Sequence, residues 1–131
     1  MEQTPNPWNS LLEGQTLKAS ASPVLTFLKK NKEDLQELYK GDITVILDYF
    51  VRTDGNIEFT FDIYSEVHDR LIGRLFSIVI NDLLSSEGYF CSKLLELVQD
   101  FRGIEELEDI LTNIIKKHPS KWINLFLEAL K

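Results

Sequence analysis

Apolar residues follow a period of two between residues 43 and 63. In the stretch DITVILDYFVRTDGNIEFTFDIY every odd position outside the central RTDGN is apolar, while carboxylates and threonines recur at even positions. Such alternation is typical of strands that bury one face. We therefore predict an antiparallel β-hairpin with strands over about 43–51 and 57–63.

The register of this hairpin follows from the same pattern. Opposed residues on antiparallel strands point to the same face, so odd positions must pair with odd positions. A two-residue Asp54-Gly55 loop breaks this rule, whereas a three-residue loop over 53–55 places Arg52 opposite Asn56 and satisfies it. Gly55 then takes the left-handed position of a type I turn with a G1 bulge. The predicted pairs on the inner face are Val51 with Ile57, Tyr49 with Phe59, Leu47 with Phe61, and Val45 with Ile63.

Helical signals stand on both sides of the hairpin. Ser22-Pro23 offers an N-cap residue followed by proline at the first helical position, and the segment after it ends near Gly41. We expect a helical pair or one kinked helix there. From Ser65 onward apolar residues recur at every fourth position as far as Leu83, which predicts a helix that ends before Gly88. A strand over 75–80 is the alternative, because β-branched residues favour strands.

The pattern of the C-terminal half predicts three more helices. Apolar residues at 90, 94, 97, 98 and 101 predict the first, and the second starts after Gly103, with acids early and bases late as the helix dipole favours. The last follows the break at 118–120. Its polar residues lie in one narrow stripe, so its apolar surface is wider than a single packing contact requires. That stripe consists of Lys121, Asn124, Glu128 and Lys131.

These elements predict one α+β domain over 23–131, in which a single antiparallel hairpin packs with five or six helices and the C-terminal half is helical. A chain of 131 residues is long enough for one domain with a real core. Residues 1–22 are polar and contain proline and serine, with Trp8, Leu11 and Leu12 as the only apolar group able to dock. We expect them to form an N-terminal arm.

Composition and charge limit the classes of partner. Hydrophobic residues make up 44% of the chain and charged residues 27%, as in folded globular proteins. With 14 basic and 21 acidic residues the formal charge is 14 − 21 = −7, which opposes a phosphate backbone, so no nucleic-acid partner is expected. A single cysteine, no secretory signal and no apolar run near 18 residues favour a cytoplasmic protein without a membrane partner.

Residues that could hold a metal or act as a nucleophile are sparse. The chain has two histidines, His68 and His118, and one cysteine, so we expect no metal and no cofactor. A Cys91–His68 nucleophile pair is conceivable, but Cys91 falls on the apolar side of its predicted helix, where a free cysteine acts as a small hydrophobe. A calcium loop over 54–65 lacks glycine at its sixth position and an acid at its twelfth. No catalytic residue is therefore assigned.

Three carboxylates share the outer face of the predicted hairpin: Asp48, Glu58 and Asp62. General acid–base chemistry would need a cleft that desolvates one of them, whereas a two-stranded outer face is usually solvated. A surface for a partner is the more natural use of this face.

The wide apolar surface of the terminal helix and the open hairpin edges fit two accounts. Either one core covers this helix on two sides, or part of the helix or a hairpin edge is left exposed for another chain. Two functional hypotheses follow. The first is a small acidic, non-catalytic protein-binding domain that binds a partner protein or itself; it is similar to toxin-immunity proteins and secretion chaperones only in size, charge and α+β build. The alternative is a small-ligand-binding domain, or an enzyme, with a pocket between hairpin and helices. The candidate partner surface comprises Trp122, Phe126, Leu130, Phe50, Asp48 and Asp62.

Overall fold

A computed structural model describes residues 21–117 and 119–130. Five strands form one antiparallel sheet in the order β1-β2-β3-β4-β5, so each strand pairs with its neighbours in sequence. The predicted arm lies almost wholly outside the described residues. The elements are α1 (Pro23–Tyr39), β1 (Ile43–Val51), β2 (Ile57–Ser65), β3 (Arg70–Ile80), β4 (Gly88–Ser92), β5 (Leu97–Phe101), α2 (Ile104–Lys117) and α3 (Pro119–Leu130).

The predicted fold class is wrong. Within the described residues the protein has a five-stranded antiparallel sheet and three helices, not a hairpin packed with five or six helices. The helix expected from Ser65 to Gly88 is instead a turn followed by β3, which confirms the alternative strand over 75–80. The helix expected over 90–101 is the β4–β5 hairpin.

β3 was misread because both of its faces are covered. Every residue from Leu75 to Ile80 is buried, so the strand shows no polar alternation that would mark one solvated face. A spacing of four also places residues on the same face of a strand, since it is twice the strand period. The repeat from Val67 to Leu83 was therefore compatible with both structures.

The β4–β5 hairpin was misread because its strands have only five residues each. Its turn residues, Leu94 and Leu95, pack against the core and so extend the apolar pattern through the loop. The Ser92 hydroxyl donates to the Leu75 carbonyl oxygen at 2.8 Å and joins the start of this turn to β3. Glu96 completes the turn with a left-handed φ of 52°.

The β1–β2 hairpin forms in the predicted register. Each of the four predicted inner pairs is present, among nine pairs in total. The Arg52 N–H donates to the Asn56 carbonyl oxygen at 2.7 Å, and Gly55 has a φ of +87°. The three-residue loop and the left-handed glycine are thereby confirmed.

α1 begins and ends as its signals predict, although it is one continuous helix rather than a pair. The hydroxyl of Ser22, which is fully buried, accepts from the Leu25 N–H at 3.2 Å, and Pro23 is the first helical residue. Lys40 and Gly41 end the helix with left-handed φ values of 45° and 88°. The next residues lead directly into β1.

The three helices share one core with the sheet. The inner residues of β1 and β2, the even positions of β3 from 76 to 80 and the buried faces of all three helices form a single apolar cluster. α3 lies close to β3, because a Cβ at Gly73 would stand 3.4 Å from Leu125 Cδ1. None of the described helices combines the length and apolar character needed to cross a membrane.

Candidate functional site

A cleft opens between the helices and the sheet and encloses about 260 Å³. It is larger than a cavity of ~150 Å³ that accepts benzene, and it approaches the ~300 Å³ lower end of ordinary ligand pockets. We name it the helix–sheet cleft. Its described lining residues are Asn31, Leu35, Leu38 and Tyr39 of α1, Phe61 of β2, Leu75 and Phe76 of β3, Leu111 and Ile115 of α2, and Trp122 and Phe126 of α3.

Aromatic rings form much of the cleft wall. Phe61 and Phe76 stack with centroids 4.7 Å apart and ring planes 12° apart, and Phe76 lies 6.2 Å from Trp122 at 21°. Tyr39 of α1 packs on Phe126 of α3 at 5.2 Å. These contacts bring together rings from two strands and two helices along one side of the cleft.

Two large apolar side chains at the cleft are exposed. Leu38 of α1 is 71% exposed and Ile115 of α2 is 50% exposed, although both line the cleft. An exposed leucine and an exposed isoleucine on two facing helices mark the edge of the cleft that is open to solvent. A molecule that enters there would cover apolar surface on both helices.

The polar groups of the cleft are few and neutral. The Asn31 side-chain amide donates to the Phe27 carbonyl oxygen at 2.8 Å, which leaves its own carbonyl oxygen as an acceptor. The Trp122 Nε1–H is buried and has no acceptor among the described residues. No charged side chain stands among the described lining residues. A buried N–H without an acceptor is costly, so the Trp122 indole lowers the stability of the fold.

The structure divides the residues of the predicted partner surface between two places. Trp122 and Phe126 are buried and line the helix–sheet cleft, and Leu130 is half-buried against the core. The other three residues lie on the opposite face of the sheet. There Phe50 and Asp48 are exposed on β1, and Asp62 is buried on β2.

The carboxylates of the outer face are solvated or paired with arginine. Asp62 accepts from Arg74 Nε at 2.8 Å, and this hydrogen bond raises the pKa of Arg74. Glu58 lies 3.7 Å from Arg52, and Asp48 is exposed opposite Thr60. None of the three carboxylates lines the helix–sheet cleft. The buried carboxylate, Asp62, is thus paired with Arg74, while Glu58 is half-buried near Arg52 and Asp48 is exposed.

Cys91 and His68 belong to distant parts of the sheet. Cys91 pairs with Ser77, whereas His68 lies in the turn that precedes Arg70. Seven residues of strand separate these positions along β3, which corresponds to about 23 Å. Among the described residues no group of three or more histidine, cysteine, aspartate or glutamate side chains could hold a metal ion.

Leu35, Leu38 and Ile115 line the cleft but are absent from the predicted partner surface. The wide apolar surface predicted for the last helix pointed to Trp122 and Phe126 but not to these residues of α1 and α2. α3 packs one side on the sheet, while Trp122 and Phe126 face the cleft. Tyr39 of α1 covers Phe126, so the second side of α3 is buried against another helix of the same chain.

Comparison of the chain with models of known protein families, with curated proteins and with solved structures finds no significant match. The choice of function therefore depends on the geometry of the described residues. Two features of the described residues indicate a function: the helix–sheet cleft and the exposed end of β1.

Proposed function

We propose that the protein binds a small, neutral, predominantly apolar molecule in the helix–sheet cleft. The observation that carries this proposal is the cleft itself, which has a volume of about 260 Å³ and a lining of aromatic and aliphatic side chains. Ligand pockets are typically apolar, with a few polar groups that orient the ligand. Asn31 supplies such a group.

The charge and size of the cleft narrow the ligand class. A carboxylate or phosphate would need a cation in the cleft, and the described lining residues offer none. The net charge of −7 also repels anions. A neutral ligand with one to three rings, or a compact aliphatic group of similar volume, fits best.

Fluorescence titration with the neutral dye N-phenyl-1-naphthylamine tests this proposal. We expect saturable binding with a Kd on the order of 10–100 µM, because a ligand of about 17 heavy atoms gains roughly 0.3–0.4 kcal/mol per atom. Leu35→Trp, at the half-buried cleft wall of α1, should weaken binding about tenfold or more by filling the space.

Leu84→Trp is the matched control. Leu84 is exposed, lies between β3 and β4, and does not line the cleft, so this change should leave the Kd unaltered. Thermal melts of both variants report whether each still folds. An absence of saturable binding in the wild type, or equal binding by a folded Leu35→Trp protein, would rule the cleft out as the site.

Protein binding, the first hypothesis from the sequence, remains a proposal supported by a different observation. Tyr49, Phe50 and Val51 at the end of β1 are exposed. Exposed apolar residues on an edge strand favour pairing with another chain. The acidic charge still favours a partner other than nucleic acid, and the single cysteine supports a cytoplasmic location.

A further inference from the structure

β1 is an edge strand, and its register shows which backbone groups point away from the sheet. Arg52 and Asn56 form a hydrogen-bonded pair, so even residues of β1 bond to β2 and odd residues direct their N–H and C=O groups outward. The Val45 N–H confirms this alternation, because it donates to Gln36 Oε1 of α1 at 2.9 Å. The first half of the edge is therefore capped by α1.

The second half of the edge is open. The Tyr49 N–H bonds only to the exposed carboxylate of Asp48, at 2.8 Å, and the outward N–H groups of Leu47 and Val51 have no partner in the described part of the chain. Unpaired strand edges of this kind readily add a further strand. Asp48 can release Tyr49 without burying a charge, since its side chain is exposed.

The open half of β1 also exposes apolar side chains on both faces of the sheet. Tyr49 is 42% exposed, Phe50 48% and Val51 71%. Phe50 stands on the outer face, while Tyr49 and Val51 stand on the inner face at the end where the helices do not cover the sheet. An added strand would cover all three of these side chains at once.

The segment Asp48–Arg52 is complementary to itself. When two copies of β1 pair, odd residues must lie opposite odd residues, because only they have outward N–H and C=O groups. The two-fold axis between the copies therefore passes through one residue of the segment and not between two residues. With the axis at Asp48, the two copies of Asp48 would lie opposite each other. With the axis at Tyr49, Asp48 of one copy would lie opposite Phe50 of the other. A centre at Phe50 pairs Tyr49 with the other copy's Val51 and Asp48 with its Arg52, twice each. In the single copy the Arg52 guanidinium donates to the Tyr89 hydroxyl at 2.6 Å and lies 3.7 Å from Glu58, so the pair with Asp48 forms by exchange of these contacts. Opposite charges and aromatic–β-branched pairs are favourable cross-strand neighbours.

We propose that two copies of the chain pair antiparallel along Asp48–Arg52 of β1, with Phe50 at the two-fold axis, to form a continuous ten-stranded sheet. The contact is isologous and closes at the dimer. Five residues on each side make an interface smaller than the ~1,200 Å² of a stable complex, so the dimer is weak, with a Kd of roughly 0.1 mM.

Sedimentation velocity over about 5–500 µM protein near 0.15 M salt tests the charge pairing. Asp48→Arg should weaken dimerisation about tenfold, because it places two arginines opposite one another. Arg52→Asp should weaken it by at least as much, because it opposes two aspartates and also removes the Arg52 hydrogen bond to Tyr89 within each copy. The double variant, which exchanges the two residues, should restore it. Asp100→Arg, an exposed change of the same charge on the far edge strand β5, is the control and should dimerise as the wild type does.

Disulfide trapping tests the register. With Cys91→Ser as background, Phe50→Cys should cross-link two copies under mild oxidation, because residues opposed at a non-hydrogen-bonded position have Cα atoms about 4.5 Å apart. Ile46→Cys should not, because the two copies of residue 46 would lie about 26 Å apart along the strands. A monomer at every concentration, failure of the exchange variant to recover, or equal cross-linking at both positions would overturn the proposal.

Discussion

At the scale of single residues, two glycines are required for different physical reasons. Gly55 has a φ of +87° with nothing within 4 Å of a Cβ built on it, so only its backbone conformation opposes a side chain. At Gly88 a Cβ would stand 2.1 Å from the Val79 carbonyl oxygen, because β3 and β4 approach closely there. A left-handed backbone costs about 1 kcal/mol for alanine, whereas a clash with backbone inside a sheet forces the strands to move.

We expect Gly55→Ala to lower the free energy of unfolding by about 1 kcal/mol and Gly88→Ala to lower it by about 3 kcal/mol. Urea denaturation measures both. Gly55→Asn is the control for the turn, since asparagine tolerates the left-handed region, and it should cost less than Gly55→Ala. A Gly88→Ala protein no less stable than Gly55→Ala would contradict the close approach of β3 and β4.

The sequence identified the role of one of these glycines and not of the other. The parity rule required a left-handed residue at 55, because only a three-residue loop keeps apolar side chains on one face. Gly88 also fits the end of a helix, since glycine commonly follows helices. The need for a missing side chain at 88 depends on the pairing of Gly88 with Ile80, which no local pattern reveals.

At the scale of elements, capping signals predicted the helices more reliably than the spacing of apolar residues did. α1 and α2 form where N-cap, proline and charge order predict them, and the hairpin forms where polar residues alternate with apolar ones. β3 was missed because its second face is also buried, and burial on both faces removes the alternation. Sequence spacing alone could not distinguish that strand from a helix, whereas its β-branched residues pointed correctly to a strand.

The N-cap of α1 gives a prediction at this scale. Ser22→Ala should reduce the free energy of unfolding by about 1 kcal/mol, because the Leu25 N–H loses its acceptor in a fully buried position. Lys29→Ala, an exposed change in the same helix, should alter it by less than about 0.5 kcal/mol. Urea denaturation compares the two, and equal effects would mean that the Ser22 hydroxyl does not cap the helix.

At the scale of the whole molecule, the sequence anticipated that α3 needs cover on two sides but not what covers it. Trp122 and Phe126 were expected on a partner surface, and they line the helix–sheet cleft. The cleft depends on how α1 and α2 lie over β2 and β3, and hence on the sheet that the predicted fold lacked. A pocket between hairpin and helices was nevertheless the alternative hypothesis, and the cleft lies where helices meet strands.

The acidic excess predicts how the proposed dimer responds to salt. Two copies with a charge of −7 each, about 30 Å apart, repel by roughly 2.5 kcal/mol at 0.01 M salt and by roughly 0.2 kcal/mol at 0.15 M. The two Asp48–Arg52 pairs between copies are exposed and contribute only about 0.2–1 kcal/mol each. Because the repulsion at low salt exceeds the attraction of these pairs, adding salt should tighten the dimer, by tenfold or more in sedimentation equilibrium.

The Asp100→Arg variant distinguishes the repulsion between the net charges of the two copies from the effect of the Asp48–Arg52 pairs at the β1 edge. It changes the charge of each copy from −7 to −5, which lowers the product of the two charges from 49 to 25 and so roughly halves the repulsion. The variant should therefore dimerise more tightly than the wild type at 0.01 M salt and equally at 0.15 M, where the Debye length of about 8 Å screens both. If the wild-type dimer weakens as salt is added, the local ion pairs outweigh the repulsion, and the acidic surface does not limit self-association.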